Sequence, residues 1–263
     1  MPDSSAQHFL QETLQQQKAS IAKYMFNGEK VWIKKAGKHN SIWLYRLVGL
    51  GTKILGVDAL APVPSTGGKE AIQTEVKRLK ALAEHGINVP KLLAYNDYGL
   101  MISDMGNREK SARQLDSTLL RHSTNEETLY YFKKTVDAIL DTHKKNMWLS
   151  EVFIRNILID QHNEIGFIDF ETDPHDYLNK DHCYARDWIY FMYSVAIRMQ
   201  KHDLLQATAD YLKQAFNQES ESTQYALKIA CSRLSFLRKL PVQKFGNDGE
   251  RLLATATLFT LIQ

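Results

Sequence analysis

The sequence predicts a bilobal α+β protein, with a small strand-rich lobe over residues 1–106 and a mainly helical lobe over 107–263. Before residue 106 the apolar residues fall in short runs rich in β-branched and aromatic side chains, closed by turn signals such as Asn27-Gly28. Beyond it they fall in long stripes at helical spacing. One further pair of apolar runs, Ile157 to Ile159 and Ile165 to Ile168, flanks the polar turn Asp160-Gln161-His162-Asn163-Glu164 and sets a hairpin inside the helical part.

Taken in order, residues 9–24 bring Leu10, Leu14 and Ile21 to one face among glutamines, which predicts a short amphipathic helix packed on the body. Its polar face is not basic, which argues against a membrane anchor. Tyr24-Met25-Phe26 and Val31-Trp32-Ile33-Lys34-Lys35 predict two strands across Asn27-Gly28. Lys34 puts a charge inside an apolar strand, where lysines ordinarily point to solvent. An irregular stretch follows, with Trp43-Leu44-Tyr45 and the breaker cluster Pro62-Val63-Pro64-Ser65-Thr66-Gly67-Gly68. Residues 69–85 then predict a helix with Ala71, Ile72, Val76, Leu79, Leu82 and Ala83 on its apolar face, Glu75 beside that face and Gly86 as its stop. Leu92 to Tyr95 and Leu100 to Ser103 predict a hairpin about Asn96-Asp97-Tyr98, and Asp104-Met105-Gly106 a polar connector.

In the second part Thr124 and Glu127 form a capping box. The helix behind it carries Leu129, Phe132, Val136, Ile139, Leu140 and His143 on one stripe and ends near Asn146. On that stripe His143 reads as a packed histidine at a helix end. After the central hairpin, helices are expected near 184–199, 204–216, 223–239 and 249–262.

Bulk properties narrow the function classes. The 263 residues are 44% apolar, enough for a large core. A net charge of +3 suits an anionic substrate or membrane surface and falls short of a nucleic-acid binder. Cys183 and Cys231 are far apart and have no metal-ligand spacing, which points to a reducing compartment. The N-terminal segment lacks the basic start and apolar core of a secretory signal, and the most apolar window, 188–197, is too short to span a bilayer. A cytoplasmic protein is expected.

The chemistry centres on the last hairpin. Asn156 leads into it and Asp169 leaves it, so an amide and a carboxylate stand at its two ends. Such hard oxygen ligands suit a cation such as Mg²⁺.

Several residues in order resemble the protein-kinase-like fold. Lys34 is similar to the third-strand lysine of the kinase V-A-I-K motif, and Glu75 to its ion-pair partner on the next helix. By the same resemblance Asp104 and Met105 fall at the hinge position, where backbone groups would take the adenine edge. Asn156 matches the last position of H-R-D-L-x-x-x-N, Asp169 the D-F-G aspartate, and Asp187 the buried aspartate that supports the catalytic loop, with His143 beside that support. The long insert between Lys34 and Glu75, and Gly86-Ile87-Asn88-Val89-Pro90, resemble more closely the bacterial lipopolysaccharide core (heptose and Kdo) kinase-like group. Only residues 171–180 separate the metal aspartate from the next helix and no A-P-E is present, which disfavours a peptide substrate.

Departures from the pattern are specific. No G-x-G-x-x-G precedes Lys34, Leu149-Ser150-Glu151 replaces His-x-Asp, Phe153 stands where a polar residue is common, and Glu171 replaces the D-F-G glycine. The resemblance therefore implies an ATP- and Mg²⁺-dependent kinase, with Mn²⁺ as a substitute metal, acting on a hydroxyl of a sugar or glycolipid at the cytoplasmic face of the inner membrane. Lys34 and Glu75 would serve the nucleotide, Asn156 and Asp169 the metal, and Glu151 the acceptor hydroxyl. Arg155 would stand near the transferring phosphoryl group or close the loop as a salt bridge. Lys77, Arg78, Lys133, Lys134, Lys144 and Lys145 read as solvated helix faces. The alternative is a pseudokinase acting as scaffold or regulator.

Overall fold

In a computed structural model, which describes residues 4–37, 56–64, 67–119, 124–239 and 246–263, the chain forms two compact units. The described part of the first comprises 4–37, 63–64, 67–113 and 158–173; that of the second comprises 56–62, 114–119, 124–157, 174–239 and 246–263. The first mixes strands and helices and the second is mainly helical, which is the α+β class expected and is consistent with a generic protein-kinase-like fold. The stretch around Trp43-Leu44-Tyr45 lies outside the described residues.

The first unit is built on a four-stranded antiparallel sheet of β1 (Ile21–Phe26), β2 (Glu29–Lys35), β3 (Leu92–Asn96) and β4 (Gly99–Ser103), in the order β1-β2-β4-β3. The β1–β2 turn is Asn27-Gly28, both with positive φ (50° and 77°), the conformation a two-residue hairpin turn demands. Along β2, Val31 and Ile33 point to one face and Trp32 and Lys34 to the other, because strand side chains alternate. Helix α1 (Ser4–Gln16) covers the first face, packing Ala6, Leu10 and Leu14 onto Val31, Ile33, Ala94 and Met101. At this contact the helix meets sheet backbone. A Cβ on Gly99 would lie 2.5 Å from the Lys34 carbonyl oxygen and 2.8 Å from Leu14 Cδ2, so only glycine fits.

Here one sequence expectation is corrected. The helix ends at Gln16, and Ile21 pairs with Lys34 at the start of β1. Ile21 matches the helical spacing, but in β1 its backbone joins the ladder that runs back from the tight Asn27-Gly28 turn, and strand pairing overrides the local period.

Helix α2 (Gly68–Glu84) buries Ala71, Ile72, Val76, Leu79 and Leu82 as expected, and also Glu75 and Arg78. Gly86 (φ 68°) stops it with the paired bonds Ile87 N to Leu82 O and Gly86 N to Ala83 O. A second, three-stranded sheet has the order β5-β6-β7, formed by β5 (Arg113–Gln114), β6 (Ile157–Ile159) and β7 (Ile165–Phe167). In the turn after β6, Asp160 Oδ1 accepts the His162 and Glu164 N–H groups at 2.7 and 2.9 Å, a local bonding that makes aspartate a turn former.

The second unit contains α3 (Asn125–Lys144), α4 (Lys180–Lys201), α5 (Leu205–Phe216), α6 (Glu221–Leu234) and α7 (Gly246–Ile262). Thr124 caps α3 by accepting the Glu127 N–H, as the capping box requires. The apolar run at 188–197 is the centre of α4, with Trp188, Phe191, Met192, Val195 and Ala196 fully buried as the core of this unit. The helix expected over 223–239 is α6 followed by a separate 3₁₀ segment, Ser235–Lys239. Among the described residues no helix is long and apolar enough to cross a membrane.

Gly99→Ala is expected to destabilise the protein by about 1–3 kcal/mol, since the new methyl forces apart backbone and Leu14. Urea unfolding measures this.

Candidate active site

Because β2 turns Lys34 away from α1, its ammonium reaches the opposite side of the sheet, where α2 and the segment after β7 supply carboxylates. Lys34 Nζ lies 2.9 Å from Glu75 Oε2, 2.9 Å from Asp169 Oδ1 and 2.8 Å from Glu171 Oε1. The contact with Asp169 is an aligned hydrogen bond, while Glu75 Oε2, shielded from water, takes the ammonium as an ion pair without that alignment. Burial alone would lower the Lys34 pKa, but Glu75, Asp169 and Glu171 together raise it far above the usual lysine range. Glu75 is raised because its burial outweighs the opposing pull of Lys34. Lys34 is held charged, because three carboxyl groups lie within 2.9 Å of its ammonium. One cation thus faces three carboxyl groups.

Asp169 adopts φ 75°, a conformation that costs a non-glycine residue about 1–3 kcal/mol and persists where surroundings enforce it. Its neighbours are anchored on both sides. Glu75 and Arg78, three residues apart on α2, share a face. Glu75 takes Lys34, and Arg78 Nη1 approaches Asp173 Oδ2 at 4.0 Å. Arg78, expected on a solvated helix face, is 2% exposed and is part of this anchorage. Its burial was hidden in the sequence because its partner lies almost a hundred residues away.

The connector Asp104-Met105-Gly106 also belongs to the first unit. Asp104 accepts N–H groups from Gly106 (2.6 Å), Ala112 (3.0 Å) and the Trp32 indole (2.9 Å). Burial pushes its pKa up, but these donors win and leave it below the ordinary carboxylate value. The carboxylate therefore shapes the connector, while the Met105 carbonyl accepts the Gln161 N–H. Asn88 holds the same turn: its Nδ2 donates to Asp160 Oδ2 and the Ile165 carbonyl, and its own carbonyl accepts the Phe167 N–H. A Cβ on Gly166 would lie 2.3 Å from Met105 Cε, so glycine there lets the hairpin sit close.

In the second unit Asp187, fully buried on α4, accepts the Leu149 N–H at 2.6 Å and the Ser150 N–H at 2.9 Å. Ser150 has φ 80°, so the aspartate holds a second strained non-glycine residue, directly before Glu151. Asn156 is buried, ends a 3₁₀ turn (Ile154–Asn156), and donates its Nδ2 to the Glu151 carbonyl at 3.1 Å. Phe153 stacks on Tyr190 with centroids 4.7 Å apart. The Arg155 guanidinium lies 4.2 Å from the Phe153 ring centre, and among the described residues no carboxylate pairs with it. Thus Lys34, Glu75 and Asp169 come together in one unit, with Glu171 added, and Leu149, Ser150, Asp187 and His143 in the other.

No group of three or more His, Cys, Asp or Glu side chains among the described residues is set up to hold a metal ion. The Asp169 and Glu171 side chains are 36% and 38% exposed, so both reach solvent while sharing one cation. Two hard carboxylates with excess negative charge fit Mg²⁺, which is commonly bound through one or two protein carboxylates with phosphate and water completing its shell.

No protein-family model matches the chain. An uncharacterized protein of Haemophilus influenzae is 25% identical over 176 residues, 66% of this chain and 62% of that protein, so the match spans less than two thirds of the relative's length. That likeness brings no activity with it.

Lys34→Met is expected to cost about 3–5 kcal/mol in urea unfolding, because it strands Glu75 as a buried carboxyl without its cation. Glu171→Gln, at a half-exposed position, is expected to cost less than about 1 kcal/mol.

Proposed function

We propose that this protein is an ATP-dependent phosphotransferase of the lipopolysaccharide-core-kinase-like type, acting on a hydroxyl of a sugar or glycolipid. The observation that carries the reading is the meeting of Lys34, Glu75 and Asp169 at one point, from three separate elements. Phosphoryl transfer depends mainly on positioning and electrostatic stabilisation, and a lysine held charged and immobile supplies both for the α- and β-phosphates. Glu75 aims it from α2. Asp169, with Glu171 beside it, would hold Mg²⁺ (Mn²⁺ as a substitute), which when bound neutralises phosphate charge; Asn156 is the second metal residue that the kinase-like resemblance implies.

Glu151 would orient the acceptor hydroxyl and accept its proton, a role that contributes about 10²–10⁴-fold. Its carboxylate is one methylene longer than the aspartate usual at this position. The main-chain bonds from Leu149 and Ser150 to Asp187 support that loop, whose geometry matters because a displacement near 1 Å costs on the order of 10²-fold. Contact with the inner membrane surface, where a glycolipid acceptor resides, belongs to the same reading.

A second reading, a pseudokinase, is favoured by the two-residue Asn27-Gly28 turn, which leaves no glycine-rich loop over the phosphates. Labelled ATP with Mg²⁺ separates the two. Transfer or hydrolysis of the γ-phosphate is expected in the wild type and is abolished in Asp169→Ala; equal turnover in both would sink the phosphotransferase reading. In thermal unfolding, Mg²⁺-ATP at about 100 times its Kd should add about 2.7 kcal/mol of apparent stability. Stabilisation without turnover would support the pseudokinase.

A further inference from the structure

Glu219, in the link between α5 and α6, is nine-tenths buried and lies 76 residues along the chain from His143. Its Oε1 sits 2.7 Å from His143 Nδ1 and accepts the Trp188 indole N–H at 2.7 Å. On the other side of the ring, His143 Nε2 is 3.3 Å from Asp187 Oδ2, the oxygen that accepts the Leu149 N–H. A neutral imidazole donates from one nitrogen only, so an acceptor at each nitrogen calls for the imidazolium. Asp187 already accepts two main-chain N–H groups and Glu219 an indole N–H, so the oxygens facing the ring act as acceptors.

We propose that Glu219 is a positioning residue for the loop at 149–151: it keeps His143 doubly protonated, and the imidazolium in turn holds Asp187 where it clamps Leu149 and Ser150. The proposal rests on the phosphotransferase reading only in calling that loop catalytic. The link is tied to α6 by hydrogen bonds. Ser220 caps α6 through the Thr223 N–H, and Gln224 Nε2 donates to the Glu219 carbonyl. The His143 ring stacks on Tyr184 at 4.2 Å and meets Trp188 edge-on at 5.7 Å, so it cannot turn away from its partners.

The charged and titratable groups around the ring are few. Asp187 on α4 and Glu219 in the α5–α6 link act on the ring itself, and Tyr184, stacked on it, is in turn influenced by Asp181 and Cys183. On α3 and just past it, exposed Lys144 turns to Gln218 and half-buried Lys145 to Asp141. Burial lowers the His143 pKa, but the hydrogen bonds and charges of Asp187 and Glu219 raise it overall. With the folded value above the unfolded one of about 6.5, the stabilisation is complete below that pH and is lost as pH rises through the folded value.

Nitrogen-15 NMR of the wild type near neutral pH is expected to show protons on both His143 ring nitrogens. In Glu219→Gln, which keeps an acceptor for Trp188, His143 should lose one proton and amide exchange at Leu149 and Ser150 should quicken about tenfold or more, while β2 and α2 exchange as before. Where phosphotransfer is measurable, kcat should fall with the KM for ATP unchanged. A single protonated nitrogen in the wild type, or unchanged exchange at Leu149 and Ser150 in folded Glu219→Gln, overturns the proposal. If the variant does not fold, the wild-type ring nitrogens decide alone. The expected exchange in a protein that transfers no phosphate supports the clamp and removes only the phosphotransferase reading.

Discussion

The ammonium of Lys34 is the point on which the first unit depends. A lysine at 15% side-chain exposure pays a large desolvation cost, and a glutamate at 3% pays another. Neither is tolerable alone. Together with Asp169 and Glu171 they become mutually compensating, and the compensation ties a sheet strand, a helix and the chain after β7 to one another. The tie also sets the register: a one-residue slip of β2 would turn Lys34 into the α1 face and Ile33 out of it.

Both units use a carboxylate to hold a non-glycine residue in a left-handed conformation. Asp169 is held through its own carboxylate, by Lys34, and Ser150 through its N–H, by Asp187. Each conformation costs about 1–3 kcal/mol and is retained because charged partners over-determine it.

The sequence carried the class and the strand pairs clearly, because Asn27-Gly28 and Asn96-Asp97-Tyr98 are local turn signals and the apolar runs beside them are short. The Lys34–Glu75 ion pair was legible from resemblance, and the charge inside an apolar strand was itself a clue, but the contact of Lys34 with Asp169 was not. What could not be read was contact between distant polar residues. Glu171 stood out only as a replaced glycine, Arg78 read as a solvated helix position, and nothing near Glu219 in the chain announces His143. Ile21 was misassigned for a related reason: helical spacing is a local property, whereas its strand pairing with Lys34 is not.

The interleaving of the two units along the chain has a consequence for biosynthesis. Lys34 precedes Asp169 by 135 residues, which at ribosomal speeds of about 5–20 residues per second is on the order of ten seconds. During that interval the nascent sheet and α2 can join Lys34 to Glu75 alone, while residues 114–157, which belong to the other unit, are being translated. The first unit is thus begun early and finished late. Its polar side is completed only when residues 158–173 bring Asp169 and Glu171 to the ammonium.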